Sequence, residues 1–456
     1  MSRTRIRALL LGALVVTSSA AVAAAVLPRS APQPKPILVG AVFPLDGNAG
    51  SLPEQEALGV RIAAQLANAD GGVSGRPITL DVRTLERAQD APAVMAQLRR
   101  EGAQVVIGAY SSDLSIAASA AAANAGLVYW EAGAVADQLT GRGLPMVFRV
   151  GASGTNLGSN SAAFAAGELA PRLGKQATGL RLAIVAANDD YATSVAEAAA
   201  REATVAGAPI VLRATYSLTL PRWPQLMARL AAARPDVIIL ASHIPDGIAF
   251  RRAMLAARLK VGALIGSTMA ECDPDFAGDL GPDAVGIFAS DRPTAGFQPG
   301  VLSGAARTTY QRLAKAWSRN GGATPASSPE DTSDYAKGQD EGYTITGPIA
   351  NGTTHPTEEG ISGFSAAWAL FHDVLPAAAR GTLDAEGIAA AARGVDLPVG
   401  SLPNGAGIRF SSEPATLGQN LRASAVIWQW QAVRSYTFVW PPSYATGSIA
   451  LVPLPR

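Results

Sequence analysis

The sequence predicts an α/β protein made of two doubly wound lobes. Three observations carry that prediction. From residue 37 onward, apolar strand-like runs alternate with helical stretches of about ten residues or more, the pattern of βαβ units and parallel sheets. The series breaks near 150–158, at GASGTNLGSN, and then restarts with the same rhythm. A chain of 456 residues also exceeds one ordinary core and suggests two domains.

The elements follow in order. ILVGAVF (37–43) is a buried strand, and 54–69 has helical periodicity that DGG at 70–72 stops with glycines tolerant of positive φ. PITLDVRTL (77–85) alternates like a strand. A helix over 91–101, the strand VVIG, an alanine-rich helix, the strand LVYW (127–130) and MVFRV (146–150) complete the first series. The second contains RLAIVAA (181–187), a helix from Tyr191, PIVLRATY (209–216), a helix over 225–233 and DVIILAS (236–242). A helix from Asp246 and the strands ALIGS (263–267) and AVGIFAS (284–290) close it. Helices are expected over 305–319, 358–379 and 384–393. The intervening NGGATPASSPEDTSDYAKGQ (320–339) is polar and turn-rich, and reads as a surface excursion or as partly disordered. IRFSS, RASAVIWQWQAV and SYTFVWP read as terminal strands, the last two as a hairpin.

Composition narrows the function. The 37 basic and 36 acidic residues nearly cancel, which argues against a nucleic-acid partner. Arg3, Arg5 and Arg7 precede an apolar run over 8–27 with small residues at 21–25, the layout of a secretory signal with an A-x-A-like cleavage site. The run is close to the shortest membrane span, so an uncleaved anchor is the alternative; Thr17, Ser18 and Ser19 favour cleavage. No cysteine there could take a lipid. Residues 28–36 form a proline-rich linker. Cys272 is the one cysteine, so no internal disulfide is expected. His243, His355 and His372 are not at metal-ligand spacing, and neither a metal nor a cofactor is expected.

Ligands of open parallel sheets bind beyond the carboxyl ends of the strands. PLDGNAGSLPE (44–54), GAYSSDLS (108–115), WEAGAVAD (130–137) and ANDDYATS (187–194) sit there. Ser111 and Ser112 admit three readings. A nucleophile needs a base, yet no histidine is near in sequence and no G-x-S-x-G elbow is present. A helix cap is the plain structural reading. The third is a cradle, with Asp113 in the same turn, in which a hydroxyl and free helix N–H groups receive an exogenous carboxylate. Gly133 lets the backbone approach a ligand, or merely permits a tight turn. Asp189 and Asp190 read as helix caps. Tyr110, Tyr129, Trp130 and Tyr191 cluster at strand ends and read equally as core or as a ligand wall.

The ordered set VGAVFPLDGNAG, ANADGGVSGRPITL, VVIGAYSSDLSIAAS, AGLVYWEAGAVADQLTGRG, MVFRVGASGTN, RLAIVAANDDYATS, RPDVIILASHIPDGIAFRRAM, GFSAAWAL and LGQN through VWPPSYATG resembles the type I periplasmic solute-binding proteins of branched-chain amino acid and amide ABC transporters. The resemblance covers nearly everything after residue 36. It implies two lobes closing like a flytrap, with three hinge crossings near 151–154, 290–293 and 400–405. Lobe 1 would comprise 37–152 and 291–403, and lobe 2 would comprise 153–290 and 404–456. It implies that Ser112 and the backbone at Gly133 and Ala134 hold a ligand carboxylate. Val135 stands where the family has a threonine, and Leu52 where it has an aromatic. His243 takes the place of the second lobe's aromatic, and Thr268 that of the acid for a ligand ammonium, with Glu271 as a substitute. The implied function is capture of a small amino-acid-like or carboxylate ligand outside the cytoplasm, by a monomer that delivers it to an ABC permease. A sensory receptor module is the alternative, and an exported serine hydrolase a further one.

Overall fold

The first sheet of the computed structural model, which describes residues 34–46, 52–272, 274–294, 296–320, 344–345, 356–433 and 435–455, has five parallel strands. They are β1 (Ile37–Phe43), β2 (Ile78–Thr84), β3 (Val105–Gly108), β4 (Val128–Glu131) and β5 (Val147–Arg149), in the order β2-β1-β3-β4-β5. β1, β3, β4 and β5 are almost wholly buried because helices cover both faces, which explains their continuous apolar runs. Helices α1 (Leu52–Ala69), α2 (Ala91–Glu101) and α3 (Ser112–Asn124) make the crossovers.

The second sheet carries β6 (Leu182–Ala187), β7 (Ile210–Tyr216), β8 (Val237–Ala241), β9 (Ala263–Ser267) and β10 (Phe288–Asp291), all parallel. Helices α4 (Gly154–Phe164), α5 (Asp190–Val205), α6 (Trp223–Ala233) and α7 (Ile244–Ala256) accompany them. The order runs β11-β15-β14-β10-β9-β8-β6-β7, where β11 is Thr344–Ile345. β14 (Val426–Ala432) pairs antiparallel with β10 and forms the expected hairpin with β15 (Ser435–Trp440). The molecule is therefore a two-lobed α/β protein, as the alternation of strands and helices predicts.

Helix α8 (Gly304–Arg319) returns to the first lobe and packs on α1, as does α9 (Glu358–Ala369). α10 (Ala385–Gly394) contacts β4. Small residues set the closest crossings. A Cβ on Gly59 would collide with the Gly360 carbonyl, and one on Gly158 of α4 with the Val195 carbonyl of α5.

Three passages join the lobes. The first lies between β5 and α4, and the second follows β10. The third departs from expectation. A short pair, β12 (Asp396–Leu397) and β13 (Ile408–Arg409), extends the first lobe, and Phe410 packs edge-on to Trp130 and Phe148 there. Arg149 and Gln419 are bridge partners, and Asn420 Nδ2 donates to Val150 O and Gly407 O at 2.8 Å each. Gly418, at φ 80°, can lie this close to β5 because any Cβ would strike the Val147 carbonyl. The chain crosses between Asn420 and Val426 rather than at 400–405, because LGQN is tied to β5.

The signal, most of the linker, part of the first cleft loop (47–51), His355 and most of 322–356 lie outside the described residues. No helix among the described residues is long and apolar enough to cross a membrane.

Candidate ligand cleft between the lobes

Three of the four predicted strand-end loops meet at a cavity of about 490 Å³. The first lobe contributes Tyr110, Ser111, Ser112, Asp113, Gly133, Ala134 and Val135, and the second contributes Asn188, Asp189, Asp190, Tyr191, Leu218, His243 and Thr268. Arg292, on the second passage, completes the lining. Ten of the predicted site residues thus converge, and two do not.

Leu52 is buried at the first turn of α1, outside the cavity lining. Glu271 is also fully buried and outside it. Its carboxyl packs against Gly266 and Gly247, where a Cβ on Gly266 would strike it. Burial pushes the acid up to about 8, so it is a protonated interior group at neutral pH rather than an exposed partner for an ammonium. Tyr129 and Trp130 are core residues. Tyr129 Oη donates to Glu131 Oε2 at 3.0 Å, and Trp130 Nε1 donates to Ala366 O at 2.8 Å.

The serine turn answers its own question in part. Ser111 occupies the N-cap position of α3, but its hydroxyl donates to Asp113 Oδ1 at 2.8 Å and caps no backbone amide. Ser112 Oγ accepts from Ala136 N at 3.1 Å, which leaves its proton to donate. After Ser111 N, which donates to Ala109 O at 3.0 Å, Ser115 N is the next amide of the turn to find a backbone acceptor, Ser111 O at 2.9 Å. The preceding helix amides, beginning with Ser112 N, have none among the described residues. No histidine bonds to Ser112 among the described residues, because His243 belongs to the opposite wall. Asp189, by contrast, does cap its helix: its Oδ1 accepts from Ala192 N at 2.7 Å.

Gly133 has a different reason from those the sequence offers. A Cβ there would collide with the Glu56 carboxyl, which lies fully buried directly behind it without a hydrogen-bond partner among the described residues. Burial, reinforced by Glu131, holds Glu56 well above the usual carboxylate range. The amides of Gly133 and Ala134 already donate to Glu131 Oε1 at 2.8 and 2.9 Å, so they are not free for a ligand. Arg149 braces the same loop from below. Its Nη1 donates to Ala136 O and its Nε to Gln419 Oε1, both at 2.6 Å, while burial lowers its pKa to about 10.

Across the cleft, His243 Nε2 lies 3.2 Å from Asp189 Oδ2, and its Nδ1 lies 3.8 Å from Asp246 Oδ1. Burial raises the Asp189 carboxyl. The Tyr191 ring meets His243 edge-on at 5.2 Å, and its hydroxyl lies within hydrogen-bond distance of Ser242 O and Ser267 O. Each wall holds a non-glycine residue in the left-handed region: Tyr110 at φ 73° and Thr268 at φ 65°. Such conformations cost of order 1–3 kcal/mol and concentrate at functional sites; β-branched Thr268 is the rarer case.

Arg292 and Leu218 are lining residues that sequence reasoning missed, and Arg292 is the charged one. It is 6% exposed, its Nη1 donates to Gly133 O at 2.6 Å, and its Nε forms an ion pair with Glu358 Oε1 at 2.5 Å. The sequence signal was only its position in the second passage.

A cleft between two doubly wound lobes, walled by strand-end loops of both, defines a type I periplasmic binding protein fold. The chain belongs to the periplasmic binding protein family, whose pattern it matches over residues 36–426. It is 27% identical over 412 residues to Leu/Ile/Val-binding protein homolog 8 of Brucella abortus (strain 2308), covering 90% of this chain and 92% of that one. It is 27% identical over 447 residues to homolog 7 of the same organism, covering 96% and 98%. Solved structures share the fold. An ABC transporter substrate-binding protein from Desulfitobacterium hafniense in complex with Leu aligns with TM-score 0.64 at 20% identity, covering 89% of this chain and 100% of that one. An ABC transporter solute-binding protein from R. palustris in complex with benzoate aligns at 0.61 and 17%, covering 91% and 98%.

Proposed function

We propose that this chain is the extracytoplasmic solute-binding component of an ABC importer. It closes its lobes on a small amino-acid-like or carboxylate ligand and hands it, chemically unchanged, to a permease in the cytoplasmic membrane. The observation that carries this reading is the opposed polarity of the cleft walls. Arg292, the Ser112 hydroxyl and the open amides of α3 face one side, while Asp189 and Asp190 line the other. A ligand with an anionic end finds fixed donors at the first wall, and a cationic end meets carboxylates at the second. The family and its named relatives support the transport role.

The same geometry supports capture rather than catalysis. Among the described residues no hydrogen bond joins the Ser112 hydroxyl to His243, whose Nε2 lies 3.2 Å from Asp189 on the opposite wall, so no nucleophile–base pair is assembled there. Isothermal titration against branched-chain and aromatic amino acids, amides and aromatic carboxylates should give one-site binding for at least one class. Silence across the panel would overturn the proposal, as would ester hydrolysis that disappears in Ser112→Ala.

A further inference from the structure

We infer that Arg292 is the ligand's principal anion anchor, and that this cleft selects fully charged carboxylates over the corresponding amides. The inference rests on the proposed solute-binding role and deepens it.

Arg292 is a buried charge in the wall of the cavity, and its guanidinium is only partly used. Nε points to Glu358, and one Nη1 proton goes to Gly133 O. Nη2 has no partner among the described residues. A guanidinium so fixed is pre-organised: its stem cannot swing away, and its remaining donors form the planar edge that matches a carboxylate.

The surroundings explain how a charge persists there. Burial opposes the charge, but Glu358, Asp291, Glu56 and Glu359 encircle it and hold its proton more firmly than an ordinary arginine's. Asp291 Oδ1 also lies 3.6 Å from Nε. These carboxyls, on α1, α9 and the end of β10, are not among the residues lining the cavity.

The anchor also compensates for losses elsewhere in the seat. Val135 supplies no hydroxyl, and the Gly133 and Ala134 amides are taken by Glu131. What remains of the neutral seat is the Ser112 hydroxyl and the first turn of α3. A neutral seat separates an acid from its amide only by the greater strength of its bonds to the charged oxygen, since both present an oxygen to an N–H or O–H donor. A fixed cation widens the difference, because a bidentate ion pair with both partners charged forms only with the carboxylate.

The test uses the full chain and two ligand pairs, leucine with leucinamide and benzoate with benzamide, measured by isothermal titration. The wild type should bind at least one acid and prefer it to its amide. Arg292→Gln should weaken acid binding by about 10- to 100-fold and narrow the preference. Arg292→Lys, with the charge but not the fork, should fall between the two. An unchanged acid-to-amide ratio in folded Arg292→Gln overturns the inference while leaving the solute-binding role intact. If the wild type binds no member of either pair, the inference fails, while the solute-binding reading stands or falls with the wider panel. Should Arg292→Gln not fold, Arg292→Lys decides: unaltered acid affinity there overturns the inference.

Discussion

Ser112 and Glu271 illustrate how one residue's surroundings decide its role. Ser112 reads from sequence as cap, nucleophile or cradle, and the contact that separates these, its bond from Ala136 N, comes from a loop 24 residues away. Ser112→Ala should weaken binding of a confirmed carboxylate ligand by about 1–3 kcal/mol, the cost of a lost charge-assisted bond, and leave the melting temperature within a degree or so. A large drop in melting temperature without loss of affinity would return Ser112 to a structural role. Glu271 makes the opposite point. Its folded pKa of about 8 lies above the ordinary 4.5, so the native state keeps a proton that the unfolded chain releases. The contribution is fully present below pH ~4.5 and is lost as pH rises through about 8, at up to ~1.4 kcal/mol per pH unit in between. Glu271→Gln should remove that slope. Urea unfolding at pH 5 and pH 8 should therefore find the variant gaining on the wild type at the higher pH, and parallel curves would refute the assignment.

At the scale of elements, the βαβ rhythm was legible because alternation and length are local properties. Buried strands such as VVIG and VIILA are apolar throughout, and the capping residues Ser153, Asp189, Ser303, Thr357 and Asp384 each accept a helix amide. The helix crossings were not legible. Gly158 lies under the Val195 carbonyl, whereas Gly167 meets nothing within 4 Å, and no local sequence signal separates the two. Gly158→Ala should cost about 1–3 kcal/mol by forcing α4 from α5. Gly167→Ala should be neutral or slightly stabilising, since the open position gains only helix propensity. Thermal melts of the two variants side by side check the contrast; equal stabilities would mean that the α4–α5 contact is not tight.

The whole molecule adds motion and charge layout. Polar contacts already bridge the lobes beside the first passage: Ser194 Oγ accepts from Asp137 N at 3.0 Å, and Gln138 Nε2 donates to Asp190 Oδ1 at 3.2 Å. Hinged lobes of this kind rotate on ligand capture. Small-angle scattering should record a smaller radius of gyration when a calorimetrically confirmed ligand is added, and identical profiles would exclude closure. The sequence alone determined the two-lobe α/β class, most strands and helices, and the loops that line the cleft, because periodicity and strand-end position are written residue by residue. Tertiary structure alone decided that Arg292 stands in the wall, that Glu56 fills the space behind Gly133, that Glu271 is interior and that LGQN is tied to β5. Each of those depends on which side chains distant segments bring within a few ångströms, and on how much water they exclude, which no local pattern encodes.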